Sequence, residues 1–245
     1  MQLWLCPLLA FLSGSIPFGL LLAKSRGVDI RKHGSGNIGA TNVWRVMGKK
    51  FGIPCLILDM LKGALPTLAT MSLIRFEGQS SSMVIQALVD HAYVFSADKQ
   101  FLAQTLVVGT GLLCIIGHNY SPWVGFKGGK GIATSAGVII ALMPAAIVIL
   151  IAVWVLLFFT TRYVSVASIG AAIVLPILTH LGARFHHVNN DANLPNLWQA
   201  GTWNKPLFIF SVTIAVLAIW KHRSNIQRLR EGTENRFTRK SKSRS

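Results

Sequence analysis

Most of this chain is made of long stretches that are apolar on every side. They run from about residue 2 to 23, 52 to 74, 101 to 117, 132 to 159, 165 to 182 and 206 to 220. A helix that crosses the hydrocarbon core of a bilayer takes about 20 residues, so most of these stretches fit one crossing each. A helix of a soluble domain would show a single apolar stripe instead. Charged residues are 13% of the chain and hydrophobic ones 52%, whereas a soluble domain carries about 25% charged residues. The expected fold class is therefore all-α, a polytopic integral membrane protein.

The 132–159 stretch is too long for one crossing and is interrupted at Met143-Pro144. Proline removes a helix hydrogen bond and clashes with the preceding turn, so this stretch reads as one kinked helix or as a hairpin of two short ones. Charge decides the orientation. The chain start has no basic residue, while the following loop holds Lys24, Arg26, Arg31, Lys32, Arg45, Lys49 and Lys50. Basic loops stay cytoplasmic, as should the segment around Lys127 and Lys130 and the tail from Lys221. An outside N-terminus and a cytoplasmic C-terminus require an odd number of crossings. Seven follow if 132–159 is a hairpin, five if the short pieces do not fully cross. The first run has no basic residue before it and no cleavage pattern, so it reads as a retained span. The expected organisation is one membrane domain over 1–238 with a basic tail at 239–245.

The net charge of +16 would suit nucleic acid, but the basic residues sit beside the spans, where they are topogenic signals; no nucleic-acid partner is expected. Cys6, Cys55 and Cys114 fall inside apolar runs, far apart. They offer neither a disulfide framework nor a metal-ligand spacing, and no metal or cofactor is expected.

This topology brings 24–50, 118–131, 160–168 and the tail to one face. The first of these contains His33-Gly34-Ser35-Gly36-Asn37-Ile38-Gly39-Ala40-Thr41-Asn42-Val43-Trp44-Arg45. Glycines let backbone N–H groups approach an anion closely, and successive N–H groups make an anion-binding concavity. Thr41 or Asn42 as the cap of a following helix would add that helix's dipole, and Arg45 a planar donor fork for phosphate. A plain polar turn is the competing reading. The second segment, Gly117-His118-Asn119-Tyr120 followed by Gly125-Phe126-Lys127-Gly128-Gly129-Lys130-Gly131, again places lysines among glycines. It is not a nucleotide-triphosphate loop, because the required upstream glycine and the Ser/Thr after the lysine are missing.

Asp59 and Lys62 stand three apart within the second span, where pairing lowers the cost of burying charge. Ser165 and Ser168 share a helix face, as helix-gluing hydroxyls also do. In the tail, His222, Asn225 and Arg228 recur at helical spacing just beyond the last span.

As a set, these segments resemble the bacterial membrane-integral glycerol-3-phosphate acyltransferases that use acyl phosphate as donor. The resemblance rests on Gly34-Ser35-Gly36-Asn37 through Arg45, Asp59 to Gly63, Gly117-His118 with Phe126 to Thr134, Arg162 to Ile169, and His222 to Glu234. The long 75–100 and 183–205 connections and the basic tail depart from the family pattern. The resemblance implies seven helices, a cytoplasmic-side site in the bacterial inner membrane, and acyl transfer to the 1-hydroxyl of glycerol-3-phosphate, giving lysophosphatidic acid and inorganic phosphate. It implies acyl phosphate and glycerol-3-phosphate as substrates, the lipid bilayer as environment, and the enzyme that makes acyl phosphate as a partner. Ser35, Arg45, Lys130, Ser168, His222 and Asn225 would contact glycerol-3-phosphate or orient its hydroxyl. The loop from Gly34 through Gly36, Asn37, Gly39, Ala40 and Thr41 to Asn42, with Lys127, Gly128 and Gly129, would hold phosphate.

A His186-x4-Asp191 match to the motif of a different acyltransferase class falls in the 183–205 loop, on the face opposite the phosphate-binding segments, and reads as chance. The alternative function is a transporter of phosphate or an organophosphate. Its site would lie near the midplane on broken helices, whereas the polar segments here share one face.

Overall fold

The structure, a computed structural model, describes residues 3–76, 85–181 and 205–237. The His186–Asp191 match, nearly all of the 183–205 connection and the 239–245 tail lie outside the described residues. In chain order the elements are α1 (Leu5–Ser15), α2 (Phe18–Lys24), α3 (Ala40–Met47), α4 (Lys49–Leu73), β1 (Ile74–Phe76), α5 (Gln86–Val89), β2 (Tyr93–Phe95) and α6 (Gln100–Asn119). They continue with α7 (Ile132–Leu142), α8 (Pro144–Thr161), α9 (Val164–His180), α10 (Lys205–Lys221) and α11 (Arg223–Arg230). The all-helical expectation holds, apart from one parallel pair of three-residue strands, β1 and β2. That pair lies in what the sequence presents as a plain connection.

Among the described residues, four stretches are long and apolar enough to cross a bilayer: Leu5–Lys24, Lys49–Leu73, Phe101–Val124 and Pro144–Thr161. The α10–α11 pair, bent by 52°, makes a fifth when it is counted as one broken span, and α7 and α9 are apolar but shorter. The break in the long run falls where the proline demanded it. Met143 leaves the helical region (φ −145°, ψ 62°) and Pro144 opens α8, since proline at the first helical position lacks only an N–H that would have had no partner.

Small residues set the helix spacing. A Cβ on Gly137 of α7 would collide with the Met60 carbonyl of α4, and one on Gly63 of α4 with the Thr134 carbonyl of α7. Gly14 of α1 and Gly117 of α6 make the same kind of reciprocal close approach. In lipid, where hydrophobic burial does not drive helices together, such backbone proximity is the main source of packing. Helix α8 is the opposite case. Val148, Ile149, Ile151, Leu156 and Phe159 are all exposed, as an apolar face turned to lipid would be.

Two buried clusters position the site. The larger, including Val138, Leu142, Met143, Leu175, Leu207 and Phe210, joins α4, α6, α7, α9 and α10. The smaller one, Leu20, Ala23, Ile30, Ile38, Val43, Cys55 and Val124, seats the 28–47 segment on α2 and α4. Where Ile16-Pro17 separates α1 from α2, Lys62 Nζ donates to the freed Ile16 carbonyl at 2.8 Å. It also pairs with Asp59 at 2.7 Å, both side chains 2% exposed. The Asp59–Lys62 pair is thus a buried structural joint between α4 and the α1–α2 break.

Candidate functional site

The loop before α3 is built around Asn42, which is 1% exposed. Its Oδ1 accepts from the Ser35 N–H at 2.8 Å, and its Nδ2 donates to the carbonyls of Asn37 (2.8 Å), His33 (3.0 Å) and Ile30 (3.2 Å). Asn37 Oδ1 in turn accepts from the Gly39 N–H at 2.8 Å. Gly34 and Gly36 take positive φ, +61° and +70°, a region that glycine enters without strain. The helix cap is Gly39, not Thr41 or Asn42. The reason is that Asn42 turns its side chain back into the loop. Ala40 and Thr41 open α3, so their N–H groups precede the first helical acceptors. The Ser35 hydroxyl is half-buried on the same loop.

The second glycine segment lies flat on the end of α6. Gly128 rests on the His118 carbonyl and Gly129 on the His118 ring, so neither has room for a Cβ. The Gly129 N–H donates to the His118 carbonyl at 3.1 Å. These two glycines therefore have a packing reason independent of any anion. Lys127 points to the exterior. Lys130 turns inward and donates to Asn225 Oδ1.

Asn225 sits at the start of α11, just past the bend at His222. Its Nδ2 donates to Glu234 Oε1 at 2.6 Å. Ser165 Oγ donates to the same oxygen at 3.0 Å, and Arg228 Nε to Glu234 Oε2 at 2.8 Å. Burial alone would raise the Glu234 carboxyl, but the hydrogen bonds from Asn225, Arg228 and Ser165 outweigh it and hold it below its ordinary value. Burial pushes the Lys130 ammonium down to about 8, with Arg228, Arg45 and Lys221 pushing the same way and Glu234 opposing. Arg45, half-buried on α3, is lowered by burial and supported by the charge of Glu234. Lys130, Arg45 and Arg228 thus surround one carboxylate, and the surplus positive charge suits an anion.

His222 is 3% exposed, with Nδ1 2.7 Å from the Ala218 carbonyl. A carbonyl only accepts, so Nδ1 carries the proton and Nε2 keeps a free lone pair. Burial, then the Lys130 charge, push this imidazole down to about 4, against the Ala218 bond and Glu234. It is a neutral ring with a fixed tautomer.

Of the residues singled out from sequence, Arg45, Lys130, His222 and Asn225 converge around Glu234. Ser35 stays on the Asn42 loop. Ser168 is buried on α9 and accepts from Trp154 Nε1 at 3.2 Å, while Ser165, one turn earlier, joins the cluster. Glu234 and its links to Ser165 and Asn225 were not anticipated. The available signal was the second of two acids in a basic tail, Glu231 and Glu234, the latter nine residues after Asn225.

The family model described as glycerol-3-phosphate acyltransferase matches residues 4–232. The glycerol-3-phosphate acyltransferase of Geobacter sulfurreducens is 40% identical over 229 residues, covering 93% of this chain and 94% of that protein. That of Aquifex aeolicus is 38% identical over 228 residues, covering 93% and 95%. Among solved structures, the glycerol 3-phosphate form of PlsY (YgiH), an integral membrane glycerol 3-phosphate acyltransferase, superposes with a TM-score of 0.73 at 34% identity. The match covers 97% of this chain and 96% of that one.

Proposed function

This chain belongs to the glycerol-3-phosphate acyltransferase family, and on that premise we propose that it transfers a fatty acyl group from acyl phosphate to the 1-hydroxyl of glycerol-3-phosphate. The hydroxyl oxygen forms the new ester bond to the acyl carbon, the acyl carbon–phosphate oxygen bond breaks, and the hydroxyl proton ends on the departing phosphate. The products are lysophosphatidic acid and inorganic phosphate. The observation that carries this reading is the convergence of Arg45, Lys130, Asn225 and Arg228, from three distant segments, on one end of a bundle of apolar helices.

Acyl phosphate is an activated donor, so the protein mainly positions two anions and stabilises developing charge. Arg45 and Lys130 supply the cations for the glycerol-3-phosphate phosphate, with Asn225 beside Lys130 and Ser35 offering its hydroxyl from the Asn42 loop. Trp154 donates to Ser168 Oγ, which leaves the Ser168 proton free for a phosphate oxygen. The Gly34, Gly36, Gly39, Ala40 and Thr41 backbone receives the acyl-phosphate group, on a loop that Asn37 and Asn42 hold in shape. Lys127 is placed to add charge from the rim. His222 Nε2 is the neutral lone pair best suited to orient or accept the hydroxyl proton.

The same reading places the charged end at the cytoplasmic face of a bacterial inner membrane, since Lys24 to Lys50, Lys127, Lys130 and the tail from Lys221 gather there. It takes α1–α2, α4, α6, α7, α8, α9 and α10 as seven crossings. A transporter site would sit deeper, between broken helices. The test is phosphate release by the purified, detergent-solubilised protein given palmitoyl phosphate and glycerol-3-phosphate, beside an acyl-CoA arm and Arg45→Ala. Lysophosphatidic acid formed in step with phosphate, lost in Arg45→Ala and absent with acyl-CoA, supports the reading. Activity with acyl-CoA alone overturns the donor.

A further inference from the structure

Past α11 the chain turns at Gly232 (φ +69°), where the Thr233 N–H donates to the Arg228 carbonyl at 2.8 Å. The next residues run back across the ends of the other helices as a short strap. Glu234 fastens it to Ser165, Asn225 and Arg228. At its far end the Phe237 N–H donates to the Arg162 carbonyl at 3.0 Å, and Arg236 lies over the Tyr163 ring at 6.0 Å. The family match stops at residue 232, so the distal strap is not part of what that match describes.

The Phe237 ring completes an aromatic ladder. It stands edge-on to Trp44 of α3, centroids 6.2 Å apart at 78°, and edge-on to Phe158 of α8, 5.6 Å at 68°. Phe158 stacks on Trp154 at 5.1 Å and 15°, and Trp154 donates to Ser168. Edge-to-face and stacked pairs in this range of distances are attractive beyond their buried area. At its backbone end Trp44 packs against Gly52 of α4, where a Cβ would strike the Trp44 Cβ and Cα. The short helix α3 is thus held at Trp44 twice, at the backbone by α4 and at the ring by Phe237. Arg45 is the next residue, about 100° further round the helix, and no hydrogen bond or ion pair of its own holds its side chain among the described contacts.

We propose that Phe237 is a positioning residue for Arg45: through Trp44 it fixes the last turn of α3, beyond the first turn that Asn42 anchors, and so aims the guanidinium at the phosphate of glycerol-3-phosphate. This rests on the acyltransferase reading only for the identity of that anion. Losing both edge-on contacts should weaken glycerol-3-phosphate recognition by about tenfold and leave acyl-phosphate recognition alone.

The test uses full-length protein carrying Phe237→Ala, Phe237→Tyr or Phe237→Ala with Arg45→Ala, in two measurements. One is the KM for each substrate with kcat; the other is glycerol-3-phosphate affinity by calorimetry, which needs no turnover. The proposal expects Phe237→Ala to raise the glycerol-3-phosphate KM and Kd together by about tenfold. The acyl-phosphate KM should stay fixed, kcat should change less than KM, and Tyr should restore wild-type values. In the Arg45→Ala background, Phe237→Ala should add no further loss of affinity. An unchanged glycerol-3-phosphate Kd in Phe237→Ala overturns the proposal, as does an equal loss on both substrates or an additive loss in the double variant. Wild-type protein that neither turns over nor binds glycerol-3-phosphate overturns the functional reading, and this proposal with it. Wild-type turnover with an indifferent Phe237→Ala overturns this proposal alone.

Discussion

Lys130 and Asn225, 95 residues apart in the chain, meet side chain to side chain, and Asn225 passes the contact on to Glu234 at 2.6 Å. An amide is well suited to this place because its oxygen can accept from an ammonium while its nitrogen donates to a carboxylate. The cation and the anion are held near one another without pairing directly. In the proposed function this leaves the Lys130 charge for a substrate, which a direct Lys130–Glu234 pair would neutralise.

Asn225→Asp should break this arrangement, because a carboxylate cannot donate to Glu234 and would repel it. Loss of kcat/KM by about 100-fold is expected, close to the cost of leaving a hydrogen-bonded charge without its partner. Asn225→Gln should be intermediate. Steady-state kinetics with a thermal-unfolding control checks this; an Asn225→Asp variant within threefold of wild type would exclude the bridging role.

The pH profile should show two limits of opposite sign. If Lys130 serves as a cation for a phosphate, recognition should fall as pH rises through about 8. If His222 serves as the neutral acceptor of the proposed function, activity should fall as pH drops through about 4. The substrate phosphates titrate near ~6 and add their own inflection, so the informative comparison is with Lys130→Arg. Arginine stays protonated throughout, and the upper limit should disappear in that variant while the lower one stays.

His222 offers a separate test of its tautomer. In His222→Asn the side-chain nitrogen stands roughly where Nδ1 stood and can still reach the Ala218 carbonyl, but nothing replaces Nε2. If Nε2 handles the hydroxyl proton, kcat should fall by about 10²-fold or more, with little change in thermal stability. A small kcat effect would assign the proton to the substrate phosphate instead.

What could be read from the sequence, and what could not, divides along physical lines. Pro144 forced the break between α7 and α8, and Pro17 another that no apolar run announced, because proline acts locally. The convergence of the 24–50, 118–131 and tail segments was legible because the membrane constrains which loops share a face. The direction of a side chain within a loop was not legible. Asn42 reads like a ligand for an anion, yet its amide is consumed by Ser35, Asn37, His33 and Ile30. Gly128 and Gly129 read like a phosphate cradle, but their lack of side chains is already required by the His118 backbone and ring. Glu234 closes the His222 to Glu234 segment, but its role was not legible, because an acid among basic residues looks unfavourable for an anion site until its three donors are seen.

Asn42→Leu would leave the Ser35 N–H and several loop carbonyls without their buried partner, at about 1–3 kcal/mol for each group that water cannot reach. The loss should fall on the loop more than on the bundle. Limited proteolysis is expected to cut within 30–40 well below the unfolding temperature, with activity lost. A protease-resistant, inactive Asn42→Leu would instead mean that Asn42 contacts the substrate.

The helix packing makes a prediction independent of chemistry. At Gly137 even a methyl group would meet the Met60 carbonyl, so Gly137→Ala must push α7 away from α4 and loosen the Gly63–Thr134 approach beside it. Overpacking of this kind costs about 1–3 kcal/mol. Gly109 of α6, where a Cβ would meet nothing within 4 Å, is the matched control, because alanine there improves helix propensity without a collision. The melting temperature in detergent should drop for Gly137→Ala and hold or rise for Gly109→Ala. Because α7 leads directly back to Gly131 and Lys130, the first variant should also lose glycerol-3-phosphate affinity at temperatures where it is still folded, and the second should not.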